Sequence, residues 1–338
     1  MLLTANKLMQ TNLASSMIMG IKAILIKIAF FVVFSLLAAC SAEQHTPYAY
    51  ITNQLSNDLS VIDTVKQEII YTIPMGNRPV GIALSKNRVF ISNSEGQDIT
   101  VLNTETMTVI THIPAPSGPV GIASNKEGTV VYVADWYQHK ISVLDPVQEK
   151  VKATIFAGNS PAGLIVDDKT HRLYVANRDD NSVMFIDTDS QKILHTIAVG
   201  TAPFGLALSP DGSTLYSVNV RSSDVSVIDT TQAKVIRTIK VGEWPYCAVV
   251  SPDGNRLYVT NQDDSTLSII DTHNPSIIGT VDVGDSPEGV DITPDGKYIY
   301  VANWGDGSIS IINADTLIVE KTLKTGKGSR AFGKFISQ

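Results

Sequence analysis

A tetrapeptide recurs along this chain as Tyr50-Ile-Thr-Asn53, Phe90-Ile-Ser-Asn93, Tyr132-Val-Ala-Asp135, Tyr174-Val-Ala-Asn177, Tyr216-Ser-Val-Asn219, Tyr258-Val-Thr-Asn261 and Tyr300-Val-Ala-Asn303. The first residues of successive copies lie 40 residues apart once and 42 apart thereafter. A fixed period of this length constrains the fold more than composition does. Each unit must be one supersecondary element that packs on copies of itself. Other elements keep the same period. Ser60-Val-Ile-Asp63, Ser142-Val-Leu-Asp145, Ser226-Val-Ile-Asp229 and Ser268-Ile-Ile-Asp271 form a second series. A third contains Thr-Ile or Thr-Val, as in Thr72-Ile73 and Thr238-Ile239. A fourth begins Pro-x-Gly, at Pro79, Pro119, Pro161, Pro203 and Pro287.

Each unit thus holds four short β-branched runs. Turn signals such as Ser209-Pro-Asp-Gly212 and Ser251-Pro-Asp-Gly254 separate them. Helical period is absent, which argues against βαβ folds. Four strands in about 42 residues is the size of a β-propeller blade. The expected fold is therefore all-β: a seven-bladed β-propeller over residues 48–338, with four antiparallel strands per blade. The first unit starts one strand late, and Arg330-Ala-Phe-Gly-Lys-Phe-Ile336 aligns with the Pro-x-Gly run. This predicts that a C-terminal strand completes the first blade, pairing both terminal edges.

These tetrapeptides, the Ser-Val-Ile-Asp run and the Pro-x-Gly run resemble the YVTN-repeat β-propeller family, over about residues 48–336. The resemblance implies an exported bacterial or archaeal scaffold, cell-surface proteins included. Related propellers include lactonases, lyases, electron-transfer partners and ligand-binding proteins, and fold alone does not choose among them.

Residues 1–39 carry Lys7, Lys22 and Lys27 and no acidic residue, with an apolar run from Ile28 to Leu37. A basic stretch, an apolar core and small residues make a secretory signal, too short to span a bilayer. The Leu37-Ala-Ala-Cys40 end resembles the bacterial lipoprotein signal. That resemblance implies cleavage before Cys40, diacylglycerol on its thiol and a short lipidated linker over residues 40–47. An ordinary signal peptide is the competing reading. Ser41 after the Cys implies the outer membrane, at its periplasmic face or the cell surface. Removing the leader changes the formal charge from -7 to -10. That balance disfavours broad binding to nucleic acid. Cys247 stands where other units have the Gly of Pro-x-Gly, which predicts a buried inner-strand thiol.

Residues present in every unit serve the blade. The Asp of Ser-Val-Ile-Asp recurs as Asp63, Asp145, Asp187, Asp229 and Asp271, with Asn103 and Asn313 in the remaining units. A side-chain oxygen there satisfies backbone N–H groups of the next turn. The departures are more informative. In a propeller, the loops between blades share a face with the loops joining second and third strands. The residue after each Pro, and the aligned Arg330 after Ser329, reach the channel mouth there: Val80, Val120, Ala162, Phe204, Tyr246, Glu288 and Arg330. Trp136, Trp244 and Trp304 map to the same face, as do Tyr137 and His139. Exposed aromatics gathered on loops suggest a binding surface, while packing on a neighbouring blade is the competing reading. Glu288 and Arg330 sit on adjacent blades, where a salt bridge is the simplest expectation.

Two function classes follow. One is an envelope-anchored module that binds a protein or small ligand through Trp136, Tyr137, His139, Phe204, Trp244, Tyr246, Glu288, Trp304 and Arg330. The other is a hydrolase or lyase, lactonase-like, using Glu288 and His139 at the channel mouth. Stacking of single-stranded nucleic acid on the aromatic face is a third reading, and it requires a positive patch of Arg78, Arg178, Arg221 and Arg330. His45, His112, His171, His195 and His273 do not converge, so no metal site is predicted. The acidic loops at 177–181 and 261–265 invite calcium but lack the ligand spacing of a calcium loop. No other cofactor is predicted, and a monomer is expected.

Overall fold

The computed structural model describes residues 46–115 and 117–338. The leader, the candidate lipidation site Cys40 and His45 lie outside the described residues. Twenty-seven strands, β1–β27 in chain order, make seven sheets among the described residues. Six sheets are four-stranded antiparallel blades. The seventh joins β1 (Tyr48–Asn53), β2 (Asp58–Asp63) and β3 (Glu68–Pro74), and the C-terminal segment completes it. The protein is a seven-bladed β-propeller, closed as its repeat predicts.

Burial explains the residue pattern. The second and third strands of each blade are covered on both faces by neighbouring blades, so they read as continuous apolar runs. In β1 and β2 every residue after the first is buried. Outermost strands have one solvent edge and alternate, as in β7 (Thr108–Pro114).

The repeated polar residues do the structural work that the sequence assigned to them. Asp229 Oδ1 accepts the N–H groups of Thr231 and Gln232, and Asn313 Oδ1 accepts those of Asp315 and Thr316. The tetrapeptide Asn is an internal donor: Asn219 Nδ2 reaches Asp224 and Ser226 at 2.8 and 2.9 Å. The innermost strands are β4 (Pro79–Leu84), β8 (Pro119–Ser124), β12 (Pro161–Asp167), β16 (Pro203–Leu208), β20 (Pro245–Val250) and β24 (Pro287–Ile292). They approach one another closely at the Pro-x-Gly glycine. A Cβ on Gly121 would sit 1.7 Å from the Ala162 carbonyl oxygen. Cys247, in this glycine position, is buried and free as expected.

The closing segment departs from a regular strand. Two isolated bridges, Asn53↔Ser329 and Ala49↔Ile336, tie it to β1, with hydrogen bonds such as Tyr50 N–H to the Phe335 carbonyl and Arg330 N–H to the Thr52 carbonyl. Four steps along β1 between those bridges match seven along the segment, where four along the neighbour of β12 match five. The two additional residues gather at Gly333, whose φ of 125° places it against the Ile82 carbonyl. Asp291 compensates for the broken ladder: its Oδ2 accepts the N–H groups of Phe335 and Ile336 at 2.8 and 2.7 Å. Other innermost strands carry Ala83, Ala123, Ile165, Ala207 and Val249 at that position.

Candidate functional site

The residues following the Pro of each innermost strand meet around the central axis. Val80, Val120, Phe204, Tyr246 and Arg330 of this ring line a pit of about 490 Å³ on the face carrying the interblade loops. Val80 and Val120 line its apolar side. Of the others, Arg330 lies on the segment that runs beside β4. Phe204 and Tyr246 stack with ring centres 4.4 Å apart, and Phe332 of the closing segment packs 4.8 Å from Phe204. These three rings plug the channel. Phe204 and Tyr246 face the pit, while Phe332 faces a second cavity beyond the plug.

The expected salt bridge is present and buried. Glu288 Oε2 lies 2.9 Å from Arg330 Nε, with both side chains shielded from solvent. The contact is an ion pair rather than an aligned hydrogen bond. Gln262 Nε2 donates to Glu288 Oε1 at 3.0 Å. The Arg330 guanidinium also donates to the Tyr246 hydroxyl and to Gln54 Oε1. Burial pushes the Glu288 carboxyl up, with Arg330 and the Gln262 hydrogen bond opposing it. Burial works against the Arg330 charge, but Glu288 and Tyr246 more than offset this and hold it above its ordinary value. Burial pushes the Tyr246 phenol up as well. A guanidinium has five N–H donors, and three of its nitrogens here serve Glu288, Gln54 and Tyr246. Arg330 is thus a fixed donor group at the floor, with donors to spare for a ligand acceptor.

The aromatic residues divide into three roles. Trp136 is half-buried, lies 6.0 Å from Phe204 and carries the Arg178 guanidinium over its ring at 5.7 Å. Trp304 donates its Nε1–H to Gln54 Oε1 at 3.0 Å and braces Arg330 without lining the pit. Trp244 stands on the rim, 38% exposed, with a φ of 54°. The corresponding residues are Arg78, Gly118, Ser160, Ala202, Ser286 and Gly328, all in left-handed backbone. Tyr137 is exposed and rests on Gly118, where a Cβ would sit 2.4 Å from its ring.

His139 does not join this site. Its Nδ1 accepts the Ser160 N–H at 3.0 Å, as the Asn57 and Asn181 side chains accept those of Arg78 and Ala202. It belongs to the repeat, and it neither lines the pit nor meets the buried Glu288. The acidic loops are likewise tied to neighbouring loops: Asp180 and Asp264 accept the N–H groups of Asn159 and Glu243. Among the described residues no cluster of three or more His, Cys, Asp or Glu is placed to hold a metal. The proposed arginine patch is largely neutralised, because Arg78, Arg178 and Arg330 pair with Glu95, Asp179 and Glu288.

Sequence reasoning missed Gln54 and Gln262 as site residues and named Arg178 only for a nucleic-acid patch. Their signal was available. The residue after each tetrapeptide reads Gln54, Ser94, Trp136, Arg178, Val220, Gln262 and Trp304, a second non-repeating ring on the same face. Phe332 was hidden because its place in the plug depends on how the ring closes.

Comparisons with known proteins agree on the fold. Residues 80–172 match the model of a YNCE-like beta-propeller. Residues 139–241 match that of a 7-bladed beta-propeller lactonase, and residues 245–330 that of the cytochrome D1 heme domain. No curated protein matches the sequence. Among solved structures, Kuenenia stuttgartiensis hydrazine synthase is similar at 22% identity and a TM-score of 0.68, over 74% of this chain and 87% of that one. A functionally unknown protein from Desulfotomaculum acetoxidans DSM 771 is similar at 14% identity and a TM-score of 0.75, over 86% and 98%. Dihydro-heme d1 dehydrogenase NirN in complex with DHE is similar at 14% identity and a TM-score of 0.66, over 83% and 73%. These likenesses carry the propeller architecture.

Proposed function

We propose that this chain is a lipid-anchored envelope propeller of YVTN-repeat type that binds a ligand or a protein partner in the aromatic pit. Trp244 is the observation that carries the reading. Left-handed backbone recurs at this position in every blade, with Arg78, Gly118, Ser160, Ala202, Ser286 and Gly328 in the others, so the strain belongs to the repeat and the indole is what this blade adds. That indole stands 38% exposed at the rim. A large aromatic ring left partly exposed beside a cleft points to binding. Below it, the pit offers flat apolar walls and the fixed Arg330 donors, a combination suited to a ligand with an apolar face and an oxygen acceptor.

The test is retention from an envelope extract on immobilised protein, compared with Trp244→Gly and Trp136→Ala. Selective loss on both variants, with melting temperatures preserved, is the expected result. Equal retention by all three overturns the reading. Acyl labelling that disappears in Cys40→Ser tests the anchor.

A lactonase-like hydrolase is the second reading, supported by the lactonase match over residues 139–241. It would rest on Glu288, whose carboxyl burial pushes up. Turnover in a lactone screen, lost in Glu288→Gln while the fold persists, would favour it. The haem-domain match raises a cofactor question, and the pit answers it through its donors. Its lining holds no His, Met or Cys among the described residues; of its two tyrosines, Tyr246 is engaged by Arg330 and Tyr137 stands exposed at the rim. One exposed phenol with no His, Met or Cys beside it is a poor fit to a haem iron.

A further inference from the structure

The second cavity, beyond the aromatic plug, is independent of the pit and has different chemistry. It encloses about 740 Å³ between the innermost strands, and the Pro210, Pro252 and Pro294 turns stand at its opposite, lower rim. Its wall is aliphatic, with Leu84, Ile165, Leu206, Leu208 and Val249 among its residues. Phe332 is the single aromatic residue among the described lining, and it stands at the plugged end. The side chains of the funnel's wall are thus mostly aliphatic, and polar backbone groups of the innermost strands lie between them. The cavity's size lies within the range of roughly 300–1,000 Å³ usual for small-molecule sites.

Two charged side chains line it, Asp291 and Lys334. Asp291 is committed to the fold: Oδ2 accepts Phe335 and Ile336 N–H, and Oδ1 accepts Ile292 N–H. Lys334 is exposed, and among the described residues it forms no ion pair. It enters the funnel through the two-residue expansion beside Gly333, which the other six innermost strands lack. The Lys334 charge acts on the nearby Asp291 carboxyl without a close ion pair, and a funnel of aliphatic side chains with this cation beside it suits a flexible hydrocarbon ending in an anion.

We propose that the lower funnel binds a free medium- or long-chain carboxylate. The alkyl chain runs up between the innermost strands toward Phe332, and the carboxylate pairs with Lys334. Burial of the chain supplies affinity, and the ammonium distinguishes the acid from a neutral alcohol of equal length.

Displacement of fluorescent 11-dansylaminoundecanoic acid from the purified protein tests this. Octanoate, decanoate and dodecanoate should compete with affinity rising about threefold to fourfold per buried methylene. Dodecanoate should outcompete dodecanol, and Lys334→Ala should reduce that preference about fivefold while leaving dodecanol unchanged. Lys334→Glu should reverse it. Trp244→Gly should leave all of these values unchanged. No displacement by dodecanoate overturns the proposal. So does an acid preference that survives both Lys334 variants, or dodecanoate affinity that falls with Trp244→Gly and therefore belongs to the pit.

Discussion

Glu288 and Arg330 reach the axis from neighbouring blades and meet at 2.9 Å beneath the pit, with Gln262 holding one partner and Gln54 the other. The pair ties the last complete blade to the closing segment and fixes the guanidinium that floors the site. Removing one partner of a buried pair leaves the other charge uncompensated, at about 3–5 kcal/mol. Glu288→Gln should therefore lower stability by about 3 kcal/mol in urea unfolding. The double variant Glu288→Met with Arg330→Met should be more stable than either single change. Equal stability of Glu288→Gln and the unmodified protein would show that the pair has no structural weight.

Trp244 sets function against stability. Trp244→Gly removes the left-handed strain but adds unfolded-state freedom of about 0.5–1 kcal/mol. Its melting temperature should match or exceed that of the parent protein. Retention of the pit's ligand should fall at least tenfold, as expected of a rim aromatic worth more than about 1.4 kcal/mol. A drop in melting temperature of several degrees would instead make Trp244 a packing residue.

Acid should unfold this propeller through its repeated turns. Backbone N–H groups hold Asp145, Asp229 and Asp271 below the ordinary carboxylate range, and Ser190 does so for Asp187. A folded-state value below the unfolded one, about 3.9, stabilises above that pH and is lost as pH falls through the folded value. Asn103 and Asn313 make the same turns without titrating. Replacing Asp145, Asp187, Asp229 and Asp271 by Asn should flatten the loss of stability between roughly pH 5 and pH 2. Urea midpoints across that range give the measurement.

Asp291 holds the seam. Asp291→Ala leaves the N–H groups of Phe335 and Ile336 without their acceptor, at about 1–3 kcal/mol for buried unsatisfied groups. Amide exchange at Phe335 and Ile336 should accelerate well before that at Tyr300, whose strand lies inside a complete blade. Uniform acceleration across both would mean that the seam is no weaker than the rest of the ring.

The fold was legible because the repeat states it many times. The spacing of Tyr50 to Tyr300 gives the blades, and the alignment of Arg330–Ile336 with Pro-x-Gly gives the closure. The candidate pit was legible in part. Phe204, Tyr246, Glu288 and Arg330 break a repeat whose other members are Val and Ala, and the break is visible in one dimension. His139 misled because its imidazole looks like chemistry, whereas Asn57 and Asn181 show that its position accepts a hydrogen bond from the next loop.

The sequence by itself determined the blade count, the turn chemistry and the face on which its irregular residues gather. These depend on local periodicity, which a linear chain records directly. The tertiary structure decided that Phe204, Tyr246 and Phe332 plug the channel, that Asp291 grips the closing segment, and that Lys334 is left facing an aliphatic funnel. Those relationships join residues of different blades, or of one blade and the expanded terminal segment. Their geometry exists only once the ring has closed and two additional residues have been accommodated against a neighbouring strand.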